Sequence, residues 1–265
     1  MSMELAPGLR VVLAPNPGLM TGPGTNQYLL GEHDAVQVDA APLDDENRRR
    51  LSASGVGTAA LVLTHIHPDH VGGALDLGVP IAVHRSRAEF SVGGRPLAPA
   101  GLLDDGEEVA YPGGRLRVVH TPGHESGHCC LYEPERRWLF TGDTVLSTGT
   151  TIVAPPDGDM AAYLESLRRL RALDVATIFP GHGPPVERPY ELLDEYVAHR
   201  LLRERQIVEA LRDGPAEVAE LVRRIYVDLH PGLAWAAALT VRAHLTKLER
   251  EGTVVAEPDG RFRLA

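Results

Sequence analysis

The sequence predicts an α/β fold in which sheets are covered by helices, followed by a small winged-helix-like unit. Short apolar runs of strand length, each bounded by Gly, Pro, Asn or Asp, dominate the first half of the chain. Segments with helical periodicity lie between them, and the last quarter changes to charged helical segments that end in a strand–turn–strand pattern. Alternation of this kind is typical of a layered α/β architecture.

The individual elements follow from these patterns. Helices are predicted at residues 44–54 and 159–173, and the second has a leucine at every third residue from Leu164 to Leu173 behind an Asp cap. The predicted strands occupy residues 10–14, 26–31, 35–40, 58–65, 79–84, 115–123, 128–133 and 137–143, and a final strand runs into a loop within 174–185.

The character of the chain changes near residue 189. Helices are predicted at 190–212, 215–226 and 233–251, and the chain ends in a hairpin with an Asp259-Gly260 turn. Three helices and a terminal hairpin form a winged-helix pattern. We therefore expect one domain over residues 1–188 and a winged-helix-like domain over residues 189–265.

Composition narrows the function classes. The 265 residues carry a formal net charge of −10 and a single lysine, which disfavours nucleic-acid binding by charge alone. Cys129 and Cys130 are sequence neighbours, so no ordinary intrachain disulfide framework is available. We see no secretory signal and no apolar stretch near the ~20 residues that span a bilayer. The expectation is a cytoplasmic protein without a membrane partner.

Four potential metal ligands fall within six consecutive positions after an apolar predicted strand: His65, His67, Asp69 and His70. Imidazole and carboxylate groups are natural ligands of zinc, iron and manganese. Extended backbone places His65 and His67 on one side, and Asp69 and His70 follow a proline turn, so they can face a second ion. A lone His in a loop is more often structural, but four potential ligands in this order indicate a metal site.

Three later segments share one form, in which an apolar strand and a glycine precede a single His or Asp. They supply His124, Asp143 and His182. The glycine lets the backbone approach the site closely. We therefore expect seven candidate ligands from four strand ends to converge on one edge of a β-sandwich.

Together, the segments HIHPDH, TPGH, TGD and PGHG resemble the complete metal set of the metallo-β-lactamase superfamily. The resemblance implies an αββα catalytic domain over residues 1–188 and a metallo-hydrolase with two Zn²⁺ per chain, with iron and manganese as alternatives. Carried over by position, it implies one metal held by His65, His67 and His124, a second held by Asp69, His70 and His182, and Asp143 bridging both.

The segment NPGLMTGPGTNQYLLG, the pair His199-Arg200, residues 203–207 and the winged-helix tail resemble the β-lactamase-like protein 2 group. That group includes single-strand endoribonucleases and polyketide acyl-carrier thioesterases. The bridging Asp143 and the lack of an export signal depart from true zinc β-lactamases and disfavour antibiotic hydrolysis. His67 also distinguishes the chain from the flavodiiron branch, which places a carboxylate there.

The implied mechanism uses a hydroxide held between the two metals as the nucleophile, while the metals polarise the carbonyl or phosphoryl oxygen. Asp69 is the candidate catalytic residue, because it is well placed to orient that hydroxide. The identity of the residue that protonates the leaving group is left open.

Further residues have two interpretations each. Asp39 either fixes a ligand histidine or is an ordinary strand-terminal Asp. His128 either lines the pocket or is a packed or solvent-facing residue of its strand. Arg200 and Arg203 either reach the rim of the substrate site or belong to a solvated, mixed-charge helix face. We expect the winged-helix tail to be a lid or a homodimer contact rather than a DNA reader, because no basic stripe is visible.

The leading functional hypothesis is hydrolysis of an ester or thioester bond in a small or carrier-linked substrate, which the acidic balance favours. The alternative is a single-strand endoribonuclease with RNA as its partner. A non-enzymatic winged-helix protein is disfavoured, because a binding module has no use for seven converging ligands. The acyl group, the metal loaded and the oligomeric state are left open.

Overall fold

The computed structural model describes residues 2–265. Its helices are α1 Asp45–Ser52, α2 Pro68–Val71, α3 Ala74–Leu77, α4 Met160–Arg171, α5 Pro189–Arg212, α6 Val218–Ile225 and α7 Ala234–Arg250. Its strands are β1 Ser2–Ala6, β2 Leu9–Leu13, β3 Asn26–Leu30, β4 Ala35–Val38, β5 Thr58–Val62, β6 Ile81–His84, β7 Phe90–Val92, β8 Arg95–Leu97, β9 Gly101–Leu103, β10 Glu108–Tyr111, β11 Gly114–His120, β12 Cys129–Glu133, β13 Trp138–Gly142, β14 Thr177–Pro180, β15 Val254–Ala256 and β16 Phe262–Leu264.

Every predicted strand corresponds to an observed one, and the structure adds β1 and β7–β10. The segments β7, β8 and β9 are three residues long, and β10 has four. Runs this short carry no readable alternation, so only their pairing partners define them as strands. Strand β1 is half exposed and lacks the apolar signal of its partner β2.

Two sheets face each other across the main apolar core. One has seven strands in the order β1-β2-β3-β4-β5-β6-β9, and the other has five in the order β10-β11-β12-β13-β14. Tyr28 from the first sheet packs edge-on against Phe140 and Phe179 of the second, with ring centroids 5.1 and 5.7 Å apart. This is the predicted sandwich.

The parallel strand pairs determine where the functional loops emerge. Strands β4 and β5 run parallel, and so do β13 and β14. Parallel neighbours end at the same sheet edge, so the segments after β4 and β5 start side by side, as do those after β13 and β14. The predicted ligands follow three of these four strands.

The chain divides into two compact units. The first comprises the residues up to Thr121 with Gly127–Gly149 and Leu173–Pro189, and the second comprises Pro122–Ser126, Thr150–Ala172 and Tyr190–Ala265. Helix α4 of the second unit begins as predicted, because the Asp159 side chain accepts from the N–H groups of Ala161 and Ala162.

The end of the second unit is a winged helix with its own core. Buried apolar side chains of α5, α6 and α7 pack with Val254 of β15 and Phe262 of β16. The hairpin β15–β16 is antiparallel, as predicted for the wing. Among residues 2–265 no helix combines the length and apolar character needed to span a bilayer.

Candidate metal centre

Four ligand-type atoms converge after strands β5, β13 and β14 of the first unit. Nε2 of His70 lies 3.3 Å from Nε2 of His182. The two nitrogens lie 3.4 and 3.1 Å from Asp69 Oδ2, and 3.2 and 3.3 Å from Asp143 Oδ1. Two imidazoles and two carboxylates therefore point at a common centre.

The partners of the other ring nitrogens explain the direction in which these histidines point. Nδ1 of His70 lies 2.7 Å from Asp39 Oδ2, and Nδ1 of His182 lies 3.2 Å from the Gly24 carbonyl. Both partners can only accept, so each Nδ1 carries a proton and donates it. Each Nε2 then presents its lone pair to the common centre once its own proton has left.

The spacing of the four atoms fits a zinc-sized cation. Five of the six separations among these atoms are 3.1–3.4 Å. A regular tetrahedron with edges of about 3.2 Å has its centre about 2.0 Å from each corner, which is the usual distance from zinc to nitrogen or oxygen ligands. Four converging lone pairs repel one another unless a cation or protons lie among them. The donor set and its spacing therefore fit a metal ion.

A second group overlaps the first at Asp143. His65, His67 and Asp143 each offer one ligand atom, and these atoms lie within 4.8 Å of one another. Nδ1 of His65 lies 3.0 Å from Thr64 Oγ1, whose own proton goes to the Asp39 carboxylate at 2.8 Å. His65 therefore donates from Nδ1 and directs Nε2 away from Thr64.

His124 belongs to the second unit, and its geometry there is well defined. Its Nδ1 lies 2.6 Å from the carbonyl oxygen of Ile152, which accepts the proton and leaves a lone pair on Nε2. The side chain is buried. His124 thus has the same one-sided arrangement as His65, His70 and His182.

Asp39 supports both halves of the site in the first unit. Its carboxylate accepts from His70 Nδ1, from the Thr64 N–H at 2.8 Å and from the Thr64 hydroxyl. The residue is buried with φ +60°, a left-handed conformation that Asp and Asn tolerate better than most residues. Asp39 therefore contacts the candidate ligand His70, as the first of its two interpretations requires.

Of the interpretations of His128, the structure shows a packed side chain and not one that lines a pocket. It is fully buried, and its Nε2 accepts from the backbone N–H of Asp143 at 3.2 Å. Its Nδ1 therefore carries the proton and donates to Thr121 Oγ1 at 2.9 Å or Thr144 Oγ1 at 3.1 Å. His128 holds the backbone beneath Asp143 and is not at a rim.

For Arg200 and Arg203 the structure does not show the contacts that the rim interpretation implies. Arg200 is 1% exposed, donates to the Thr151 carbonyl and lies over the Tyr163 ring. Arg203 donates to the Ile225 carbonyl at the end of α6. Both guanidinium groups are held by contacts within the second unit, which a helical pattern alone does not reveal.

Sequence reasoning missed the residues that hold the His182 loop. Asn26 on β3 donates from its side-chain amide to the carbonyls of Pro180 and Gly183 at 2.9 and 2.8 Å. Tyr28 donates its hydroxyl to the same Pro180 carbonyl at 2.7 Å. The signal available was that Asn26 and Tyr28 place polar groups in an otherwise apolar strand. This signal does not indicate a hydrogen-bond partner more than 150 residues away.

Gly181 precedes His182, and its backbone lies so close to other candidate ligands that no side chain fits. Its φ angle is not in the left-handed region, so backbone conformation does not require glycine here. A Cβ at this position would lie 2.6 Å from His70 Cε1 and 2.8 Å from Asp143 Oδ1. Any side chain here would enter the space between the ligands. The expectation that glycine allows the backbone to approach the site is met at this residue.

The electrostatics of the centre favour positive charge. Burial lowers the pKa of His182, but hydrogen bonds to Asp143 and Asp69 raise it more, to about 9. Burial also lowers the pKa of His70, and the charges of Asp143 and Asp39 raise it well above its ordinary value. Burial raises the pKa of Asp69, yet hydrogen bonds from His182 and His70 hold it well below its usual range.

These shifts predict that metal binding strengthens as pH rises towards about 9. Below that pKa, His182 in chelator-treated protein holds the proton that a metal must displace, so protons compete with the metal. Each displaced proton should change the affinity about tenfold per pH unit. Zinc titrations against a competing chelator between pH 6 and 9 measure this, and affinity that is independent of pH would contradict it.

Comparison with known proteins agrees with this geometry. Residues 20–182 match the model of the metallo-β-lactamase superfamily, and residues 218–262 match the β-lactamase-associated winged helix domain. A metallo-β-lactamase family protein from Thermus thermophilus has a similar structure, with a TM-score of 0.85 and 26% identity over 99% of this chain and 100% of that one.

Two relatives of known name are similar along most of their length. A β-lactamase-like protein 2 homolog from Caenorhabditis elegans is 31% identical over 95% of this chain and 87% of its own. An atrochrysone carboxyl ACP thioesterase from Aspergillus fumigatus is 32% identical over 87% of this chain and 77% of its own. The predicted resemblance is confirmed: the chain belongs to the metallo-β-lactamase superfamily of hydrolases and carries the winged helix domain associated with it.

Proposed function

We propose that the chain is a binuclear zinc hydrolase of an ester or thioester bond in a small or carrier-linked substrate. The observation that carries the metal part is the convergence of Asp69, His70, Asp143 and His182 at 3.1–3.4 Å. The proposed ligands of the other ion are His65, His67, His124 and Asp143. Iron and manganese accept the same donors and are the alternatives to zinc.

When bound, the two ions would supply an activated water and polarise the oxygen of the scissile bond. Among the four converging side chains Asp69 is the most exposed, at 28%, whereas the His70 side chain has no exposed surface. Asp69 is therefore the carboxylate that water and substrate reach. With its pKa held low it stays ionised, so it can accept a hydrogen bond from the attacking water and orient it.

A cysteine nucleophile is disfavoured by burial. Cys129 and Cys130 are both fully buried on β12, and Cys129 Sγ is directed at the Leu63 carbonyl. A covalent acyl-enzyme on sulfur would need an exposed thiolate. The proposal therefore uses water as the nucleophile.

Three observations support a small or carrier-linked acyl substrate. The Aspergillus relative is named as a thioesterase that acts on a carrier-linked acid. The loop that leads to Gly24, whose carbonyl holds His182, exposes the apolar side chains of Leu19 and Met20. A net charge of −10 disfavours a polyanion, and Arg200 and Arg203 already have partners within the second unit.

The test compares a thioester panel that includes N-acetylcysteamine thioesters with single-stranded RNA, using zinc-loaded protein. We expect thioester turnover that changes less than about twofold between roughly 50 and 200 mM salt, because few charges are neutralised on binding. Cys129→Ala should keep this activity, since its thiol is assigned to packing.

The endoribonuclease alternative predicts the reverse pattern. A protein that holds several phosphates loses affinity steeply with salt, by orders of magnitude over the same range. RNA cleavage that depends strongly on salt, with no turnover of any thioester, would replace the proposed substrate class while leaving the metal proposal in place.

We further propose that the catalytic domain ends at residue 188 and that residues 189–265 form the appended winged-helix domain. Helix α5 starts at this boundary and supplies Ile207 and Leu211 to the winged-helix core. A homodimer contact through the appended domain stays a hypothesis, which sedimentation analysis of the purified chain tests.

A further inference from the structure

We infer that Arg200 on α5 is a positioning residue for His124, an inference that rests on the proposed role of His124 as a metal ligand. Two sets of contacts, both within the second unit, start at the buried guanidinium group. One leads to Ile152, whose carbonyl accepts from the His124 ring, and the other leads to Gly123, which precedes His124. Helix α5 would then help to set the geometry of a metal ligand.

The first set runs through two adjacent carbonyls. Arg200 donates from Nη2 to the carbonyl of Thr151, and both residues are buried. The next carbonyl, that of Ile152, accepts from His124 Nδ1 at 2.6 Å. The Thr151 carbonyl fixes the plane of the peptide unit that joins Thr151 to Ile152. Only the φ and ψ angles of Ile152 separate this plane from the Ile152 carbonyl, so a hydrogen bond that anchors the first plane limits how far the second can turn.

The second set runs through an aromatic ring. The guanidinium carbon of Arg200 lies 5.1 Å from the centroid of the Tyr163 ring on α4. Tyr163 is fully buried against Gly123, where an added Cβ would lie 2.3–2.5 Å from the Tyr163 N, Cα and Cβ atoms. The Gly123 carbonyl also accepts from the Asp159 N–H at 2.9 Å. The residue before His124 is therefore tightly packed.

Fold stability alone does not account for an arginine at this position. Arg200 is 1% exposed, and its Nε has no hydrogen-bond partner among residues 2–265. A buried charge without full hydrogen bonding is costly, and an apolar side chain of similar volume is often neutral or better for stability. A role in orienting the Thr151–Ile152 carbonyls gives the guanidinium group a function that a hydrocarbon cannot replace.

Groups that orient a metal ligand typically change metal affinity by about 10–100-fold when they are removed. The expected effect is selective, because neither set of contacts leads to His70 or His182. One of the two ions should bind more weakly, and the other should bind as in the wild type.

The experiment measures zinc stoichiometry and affinity by competition with a chelator, together with circular dichroism and thermal unfolding. Arg200→Met keeps the volume and removes the donors, and Arg205→Met is the control, an exposed arginine on the same helix. We expect Arg200→Met to bind one ion as tightly as the wild type and the second at least about tenfold more weakly. Arg205→Met should match the wild type.

Arg200→Lys should recover part of the lost affinity, since an ammonium group can still donate to a carbonyl. If Arg200→Met does not fold, two other variants replace it: Arg200→Lys, and Gly123→Ala, which disturbs the packing against Tyr163. Each should lower the affinity for one of the two ions and leave the other unchanged. Two ions at wild-type affinity in a folded Arg200→Met, or in both substitute variants, would overturn the inference. A wild-type chain that binds fewer than two ions would instead overturn the proposed function.

Discussion

Asp143→Ala should lower turnover by roughly a thousandfold or more, which corresponds to about 4 kcal/mol of lost transition-state stabilisation. The carboxylate of Asp143 belongs to both groups of candidate ligands, so its removal takes one ligand from each proposed ion. No neighbouring carboxylate can replace it from the same strand end, because Thr144 follows it and Gly142 precedes it. The measurement is steady-state hydrolysis of the best thioester, with the metal content determined on the same preparation.

Asp143→Asn separates charge from shape in this experiment. The amide keeps the size of the side chain and the backbone contact with His128, but it removes the negative charge. We expect Asp143→Asn to be nearly as inactive as Asp143→Ala, with both variants folded by circular dichroism. Activity close to that of the wild type in either folded variant would contradict the assignment of Asp143 as the bridging ligand.

Asp39→Asn should lower metal affinity by about 10–100-fold at one of the two proposed ion sites. That site is the one formed by Asp69, His70, Asp143 and His182. The Asp39 carboxylate accepts from His70 Nδ1 at 2.7 Å, which fixes the ring and raises its basicity as a ligand. Asparagine tolerates the left-handed backbone of this residue, so the substitution tests the carboxylate and not the fold.

The matched control is Asp44→Asn. Asp44 also accepts a hydrogen bond, from the Asn47 N–H at 2.7 Å, but it caps helix α1 and is exposed. Asparagine is an equally good cap, so metal affinity and stability should stay at wild-type values. Equal metal affinity in Asp39→Asn and Asp44→Asn would show that Asp39 does not support a ligand.

The fold and the candidate ligands could be predicted because their signals are local. The spacing from His65 to His70 follows an apolar strand, and Asp143 and His182 each follow a strand and a glycine. Periodicity and these short motifs depend only on neighbouring residues, so the sandwich and the winged helix could both be expected. The short strands β7–β10 could not, because runs of three or four residues carry no readable alternation, even where the partner is the next strand along the chain.

The residues that support the ligands could not be predicted in the same way. The sequence around His128 is that of a strand, and its role beneath Asp143 is visible only from the contact with the Asp143 N–H. Arg200 lies in a helix of alternating charges, a pattern typical of a solvated face, yet it is fully buried. A charge pattern does not show which face of a helix another element covers.

The sequence by itself determined the family, the two-part architecture and the types of atom offered to a metal. Only the tertiary structure decided which nitrogen of His70 and of His182 presents its lone pair, because that depends on acceptors far away in the chain. Asp39 lies 31 residues from His70, and the carbonyl of Gly24 lies 158 residues from His182. Folding places an acceptor beside Nδ1, which therefore keeps its proton and fixes the orientation of the ring. The ring orientation in turn sets the direction of the Nε2 lone pair.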